Sequence, residues 1–237
     1  MSAKRIIPVL FIIVLLYPKL NGQETGTVTD IDGNVYQTVK IGEQWWMAEN
    51  LRVTRYRNGD PIPTGLDVHE WQLTRSGAYA VYPHDDVDGI NSDAEMLEAY
   101  GALYNWYAVD DLRGLCLEGW QVPSDSDWIT LANSLVRWNV AGGKMKSTRT
   151  KPDPHPRWDS PNIDATNESG FSGLPGGTRG GLGTYHGIGR SGVWWSSTET
   201  DPDNIRTRFM QNRTGNLSMS FNQRLDGPSV RCLRDDE

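Results

Sequence analysis

Cysteine is nearly absent: the 237-residue chain holds two, Cys116 and Cys232. Neither has a second cysteine or a histidine at metal-ligand spacing, which argues against a thiolate metal site. The four histidines, His69, His84, His155 and His186, are scattered too, and no Gly-x-Ser-x-Gly nucleophile motif occurs. An enzyme has little to build on here. Positive charge is also short: 23 basic residues against 30 acidic ones leave −7, which excludes the basic footprint of a nucleic-acid binder. No apolar run reaches about twenty residues, the length a membrane-spanning helix needs. The longest fills residues 6–17 and is interrupted by Pro8.

Tryptophan and glycine are plentiful instead, with 10 and 25 copies. Such aromatic content is foreign to disordered chains, and so much Gly with little Ala argues against a helical bundle. The composition fits a folded, loop-rich domain with much β structure, and the length suffices for a sizeable core. Lys4 and Arg5 precede the short apolar run, and Leu20-Asn21-Gly22 closes it. That layout predicts a secretory signal peptide over residues 1–22 and a mature domain over 23–237. Removing it leaves 20 basic and 30 acidic residues, a charge of −10, and no transmembrane segment. Export implies an oxidising compartment, where Cys116 and Cys232 are expected to join as a disulfide.

Local pattern places several elements. Asp32-Gly33 between β-rich runs predicts a hairpin over residues 26–41, with a third short strand at Gln44-Trp45-Trp46-Met47. Helical spacing follows the acidic stretch 83–95. A second helix starts at Ser124, with Asp127 in capping-box position and Trp128, Leu131, Ala132 and Leu135 on one face. Residues 141–192 read as long, polar and irregular, broken by Pro152, Pro154 and Pro156 and rich in Gly towards the end. β character returns at Val193-Trp194-Trp195, then in a hairpin around Thr214-Gly215-Asn216 and in a last strand over 229–233. The expected class is one α+β domain with two main helices, paired terminal strands and a long irregular loop region.

Six blocks carry a resemblance. They are Trp45-Trp46-Met47-Ala48-Glu49-Asn50-Leu51, Tyr100-Gly101-Ala102-Leu103-Tyr104-Asn105-Trp106-Tyr107-Ala108-Val109, Gly119-Trp120-Gln121-Val122-Pro123-Ser124-Asp125-Ser126-Asp127-Trp128, Asn167-Glu168-Ser169-Gly170-Phe171-Ser172-Gly173-Leu174-Pro175-Gly176-Gly177, Trp194-Trp195-Ser196-Ser197-Thr198 and Ser229-Val230-Arg231-Cys232. In this order they resemble the Fibrobacter succinogenes major paralogous domain, with Leu117 standing where that family usually has Pro. The resemblance implies a secreted or cell-surface bacterial protein. The Trp120-to-Trp128 block and the Val-Arg-Cys strand also look like the formylglycine-generating enzyme group, which implies a C-type-lectin-like fold. That group acts through two cysteines close in sequence. Cys116 and Cys232 lack the arrangement, so its activity is not carried over.

The candidate sites are for binding. His84, Asp86, Asp88, Gly89, Ser92 and Glu95 fall at positions 1, 3, 5, 6, 9 and 12 of an oxygen-ligand loop, with Asp86, Asp88 and Glu95 as candidate calcium ligands. An acidic loop capping the following helix is the competing reading. Asp201-Pro202-Asp203-Asn204 looks like the Pro-centred segment with which C-type lectins hold calcium and sugar, and a simple turn competes with it. Exposed aromatics pack on sugar rings, which puts one of Trp194 and Trp195, taken as Trp195, among the candidates. Arg179, Tyr185 and His186 in the Gly-rich loop join it. The expected function is a secreted or cell-surface non-catalytic module that recognises polysaccharide or another surface component. A structural or adhesive envelope protein with a protein partner is the alternative, and an enzyme on the same scaffold stands last.

Overall fold

The computed structural model describes residues 22–235. The expected signal peptide lies outside them apart from Gly22. The chain opens with β1 (Thr25–Thr29), β2 (Val35–Ile41) and β3 (Gln44–Met47), followed by α1 (Val68–Leu73) and β4 (Tyr79–Ala80). Next come α2 (Asp93–Tyr100), β5 (Leu103–Tyr104), α3 (Trp106–Val109), β6 (Trp120–Gln121), α4 (Asp125–Ser134) and α5 (Trp138–Met145). The remainder is β7 (Gly176–Arg179), β8 (Tyr185–Ile188), β9 (Ser191–Asp201), β10 (Asn204–Gln211), β11 (Ser218–Asn222) and β12 (Leu233–Arg234). Helices and strands intermix around two five-stranded sheets, ordered β1-β2-β3-β12-β6 and β11-β10-β9-β7-β8, with β4-β5 as a small third pair. The class is α+β.

Local chemistry explains the elements that pattern reveals. Asp30 closes the β1–β2 turn: one carboxylate oxygen accepts from the backbone N–H groups of Asp32 and Asn34, the other from the Tyr36 hydroxyl at 2.7 Å. Gly33 supplies the positive φ of +85° that a side chain would resist. Ser124 and Asp127 form a reciprocal capping box on α4, which buries Trp128, Leu131 and Ala132.

Other expectations are corrected. The chain has five α-helices among the described residues rather than two. The helical stretch after the acidic segment stops at Tyr100, because Gly101 turns with φ +78° and a Cβ there would sit 2.6 Å from that of Asn50. β5 and the short α3, capped by Asn105, replace its continuation. α5 runs into the segment read as irregular. Two consecutive glycines conceal it, since Gly disfavours helix by about 1 kcal/mol. Both are required by packing: a Cβ on Gly142 would lie 2.1 Å from the Asn216 carbonyl oxygen, and one on Gly143 2.5 Å from that of Asp164. The Gly-rich stretch is an ordered hairpin, β7 with β8.

The terminal strands share a sheet without pairing. β12 lies between β3 and β6, while β1 stands at the edge. The expected strand over 229–233 is mostly extended chain that hydrogen-bonds singly, through the Val230 carbonyl to Leu51 N–H and the Cys232 carbonyl to Met47 N–H. Cys116 and Cys232 are joined in a disulfide across 116 residues.

The core is built from tryptophan. Trp46, Trp71, Trp106, Trp128, Trp158, Trp194 and Trp195 are all buried to below 2% exposure, and each indole N–H donates to an oxygen. Trp194 and Trp195 do point to opposite faces of β9, as a strand requires. Both faces are covered, however. Trp194 meets Phe171 edge-on in the cluster that holds Trp46 and Trp128, and Trp195 meets Trp106 in the cluster that holds Tyr36 and the disulfide.

Two buried cations stitch the irregular segments to this core. Lys146, fully buried, donates its three ammonium protons to the carbonyls of Ile163, Gln211 and Thr214 at 2.7–3.1 Å. Burial draws its pKa down to about 8. Arg231, also fully buried, stacks on Phe171 with 4.1 Å to the ring centroid. It donates to Asn50 Oδ1, to the Met47 and Ser172 carbonyls, and to the Phe171 carbonyl. Asn50 Oδ1 also accepts from Trp194, while its amide donates to the Tyr100 carbonyl. Five of the six blocks quoted above therefore meet at one polar knot.

Candidate functional site

A cleft of 940 Å³ opens directly beside that knot, with Asn50 in its wall. This is the size range of small-molecule and saccharide sites. One wall is α2, presenting Glu95, Glu98 and Tyr100, together with Ala48, Glu49 and Arg52 from the chain after β3. The rest of the lining comes from residues 147–149, His155, Asn167 and Ser172 among others, all within the segment expected to be the loop region. Charge here is partly self-compensated. Arg52 reaches Glu49 and Glu98 at 3.0 Å each and lies over the Tyr36 ring. Glu98 stays 70% exposed, so carboxylate oxygen remains for a ligand. Arg149 spends one N–H on the Pro154 carbonyl and keeps others of its five.

The loop wall is fastened to the α2 side by a polar relay. Arg157 grips both oxygens of Asp88 at 2.8 and 2.9 Å, and His155 Nε2 lies 3.1 Å from the same carboxylate. His155 Nδ1 meets the buried Tyr100 hydroxyl at 2.5 Å. The arrangement suits a neutral imidazole that donates from Nε2 and accepts at Nδ1. Burial pushes the His155 pKa below its usual value and lifts the Tyr100 phenol to about 12. Hydrogen bonds from Arg157 and then His155 hold Asp88 at about 2.

A pH prediction follows from those directions. Between the ordinary histidine pKa and the lower folded one, the unfolded chain binds a proton that the folded chain does not, so acid costs stability there. Asp88 stays ionised throughout that window. Arg157, Asp159 and Asp88 are the charged neighbours of the imidazole, and Lys151 stands 3.9 Å from Asp88. The urea midpoint is expected to fall from pH 7.5 to pH 5, and the fall should be smaller in His155→Gln. An equal fall in both proteins refutes the assignment.

The residues expected from sequence to bind ligand do not gather at this cleft, Glu95 excepted. Trp195 is removed from candidacy by burial, its indole N–H held by the Tyr104 carbonyl. Arg179 is buried as well, clamped between Trp71 and Tyr185 while donating to the Leu66, Asp67 and Gly183 carbonyls. Tyr185 is half-buried against Tyr82. His186 is exposed, with its ring nitrogen 2.8 Å from Thr184 Oγ1. Asp201, Asp203 and Asn204 make the exposed β9–β10 turn, where Asp201 accepts from the Asp203 N–H and the Asn204 amide.

The calcium loop is not assembled. Asp88 faces Arg157, Glu95 folds back onto the Asn91 N–H, and Ser92 caps α2. Asp86 ends a short 3₁₀ turn, His84–Asp86. Among the described residues, no three His, Cys, Asp or Glu side chains converge as a metal requires. The helix-capping reading of this stretch is the better one: Asp93 and Glu95 lie in the first turn of α2.

Glu49, Arg52, Glu98 and Arg149 were missed as site residues. Glu49 and Asn50 carried a signal, as polar residues inside the apolar block 45–51. Glu98 and Arg149 carried none, because only folding brings 98 and 149 to one cavity. A family model described as the Fibrobacter succinogenes major domain matches residues 39–234. The chain belongs to that family. The match to the Fibrobacter succinogenes major domain begins within β2 and takes in the knot, the disulfide and every residue of the cleft. No curated protein and no solved structure matches the chain. Within the family blocks, Trp46, Trp106, Phe171, Trp194 and Arg231 are interior, so these blocks record packing first, and they line the cleft at Ala48, Glu49, Asn50, Tyr100, Gly101, Asn167, Ser172 and Leu174.

Proposed function

We propose that this protein is an exported, non-catalytic binding module that recognises a polysaccharide or another surface component in the cleft between α2 and the 147–174 segment. The observation that carries the reading is the cleft itself. It combines ligand-sized volume with carboxylate, guanidinium, amide and hydroxyl groups in one lining, the mixture that sugar hydroxyls need for orientation. A C-type-lectin-like arrangement is part of the same proposal, supported by the C-terminal strand lying inside the N-terminal sheet. The disulfide supports export, as do the charge and hydropathy of residues 1–22.

A glycan array followed by calorimetry tests it. Saccharide binding is expected to weaken about tenfold, or about 1.4 kcal/mol, in both Glu98→Gln and Arg149→Ala. Binding unaffected by either substitution removes the cleft from the proposal. The protein-partner reading has its own observation: Met219 and Phe221 stand 46% and 45% exposed on β11, an edge strand of the sort that pairs with other chains. A blank array with capture of a surface protein, lost on Phe221→Ser, would favour it. Turnover of any array saccharide overturns the non-catalytic part.

A further inference from the structure

A second pocket, of 500 Å³, lies at the end of the β9–β10 pair and shares no residue with the cleft. It is lined by His186, Gly187, Arg190, Ser191, Gln211, Asn212 and Arg213, none of them acidic and none apolar. Strand register brings the two arginines together. Ser191 pairs with Gln211, and the Arg190 carbonyl accepts from the Asn212 N–H at 2.9 Å, so Arg190 and Arg213 stand diagonally across adjacent strand ends. Some surface arginines find carboxylates, Arg113 at Asp60 and Asp111, Arg206 at Asp125 and Arg224 at Glu199, whereas Arg75, Arg137 and Arg149 make no ion pair among the described residues. Arg190 and Arg213 make no ion pair among the described residues, although acids outnumber bases 30 to 23. Asp159 is close by, against Gly189, but it does not line the pocket.

Neighbouring like charges repel and lower stability, and an anion between the two guanidiniums would relieve that repulsion with paired, charge-assisted hydrogen bonds. Ser191 and Gln211 offer neutral donors and acceptors suited to hydroxyls. We infer that this pocket is a subsite for the carboxylate or sulfate group of an acidic polysaccharide. The inference rests on the recognition reading and names its ligand class, but it depends on different residues from the cleft.

Calorimetry with a hexamer of galacturonate, a heparin hexasaccharide and maltohexaose tests it, at 20 and 300 mM NaCl. Both acidic saccharides are expected to bind, with affinity falling at least tenfold at the higher salt, and maltohexaose is expected to leave this pocket empty. Comparison of the two acidic probes assigns carboxylate or sulfate. The exposed pair Arg190→Ala/Arg213→Ala should weaken acidic binding about tenfold while leaving the melting temperature within 2 °C or so. Neutral-saccharide binding at the cleft should be unchanged in the double variant, whose residues do not line the cleft, so loss at the cleft and loss here are separately readable. Unchanged acidic binding in the double variant overturns the inference. Polyglutamate binding as tightly as the galacturonate hexamer, or inorganic sulfate displacing it at equal concentration, overturns the saccharide assignment.

Discussion

Replacement of Arg231 by Met is expected to destabilise the domain by about 3–5 kcal/mol, because several buried neutral acceptors lose their donor at once. The side chain volume is nearly kept, so the loss isolates the guanidinium. Its five N–H donors have four acceptors around them, and no water can replace it at 0% exposure. Deletion leaves the Phe171 and Ser172 carbonyls without this donor and strips Asn50 Oδ1 of one of its two, at about 1–3 kcal/mol for each buried group left unsatisfied. It also removes a cation from the Phe171 face. Arg231→Lys should recover only part of the loss, because one ammonium cannot span acceptors on both the 47–50 and 171–172 segments. Urea unfolding followed by tryptophan fluorescence is the measurement, since Trp194 shares Asn50 with Arg231. A midpoint unchanged in Arg231→Met would falsify the knot as a source of stability. Because Asn50 and Ser172 line the cleft, the Lys variant should also weaken whatever binds there.

Opening the Cys116–Cys232 bridge is expected to cost about 4–5 kcal/mol in the chain-entropy account, given the loop of 116 residues it closes. The bridge ties the chain before β6 to the chain entering β12, and both cysteines are buried at 2% and 0% exposure. The effect lies in the unfolded state, whose freedom the bridge restricts, so it should appear without movement of the fold. The Cys116→Ala/Cys232→Ala variant should shift the urea midpoint down and keep the near-ultraviolet circular dichroism of the native protein. A midpoint equal to that of the oxidised wild type would show that native packing already holds the two segments as well as the bond does.

Signals confined to a few neighbouring residues were read correctly. Asp32-Gly33, the Ser124–Asp127 cap and the turn at 214–216 each act within one turn of chain, so the hairpins and α4 could be placed from pattern. Where a residue answered to a distant partner, the reading failed. Gly142 and Gly143 look like helix breakers and are helical because the chain at 216 and 164 passes against them. Gly177 and its neighbours look like a loose loop and form a hairpin in which no side chain fits at 177. Trp195 looked exposable because strand alternation says which side a residue faces, not whether that side is covered. The cleft had the same opacity: Glu98 and Arg149 are ordinary surface charges until the fold sets them in the lining of one cavity.

By itself, then, the sequence determined composition-level facts and short-range ones. It specified an acidic, tryptophan-rich α+β chain, its family, its bridged cysteines and the elements whose caps and turns are local. Tertiary structure alone decided which polar residues face a common cavity, which tryptophans are covered on both sides, and that Arg190 and Arg213 share a pocket with no acid in its lining. The physical reason is range. Capping, turn geometry and periodicity act over a few residues, whereas burial and site geometry depend on contacts across 50 to 181 positions, whose outcome no short window of the chain contains.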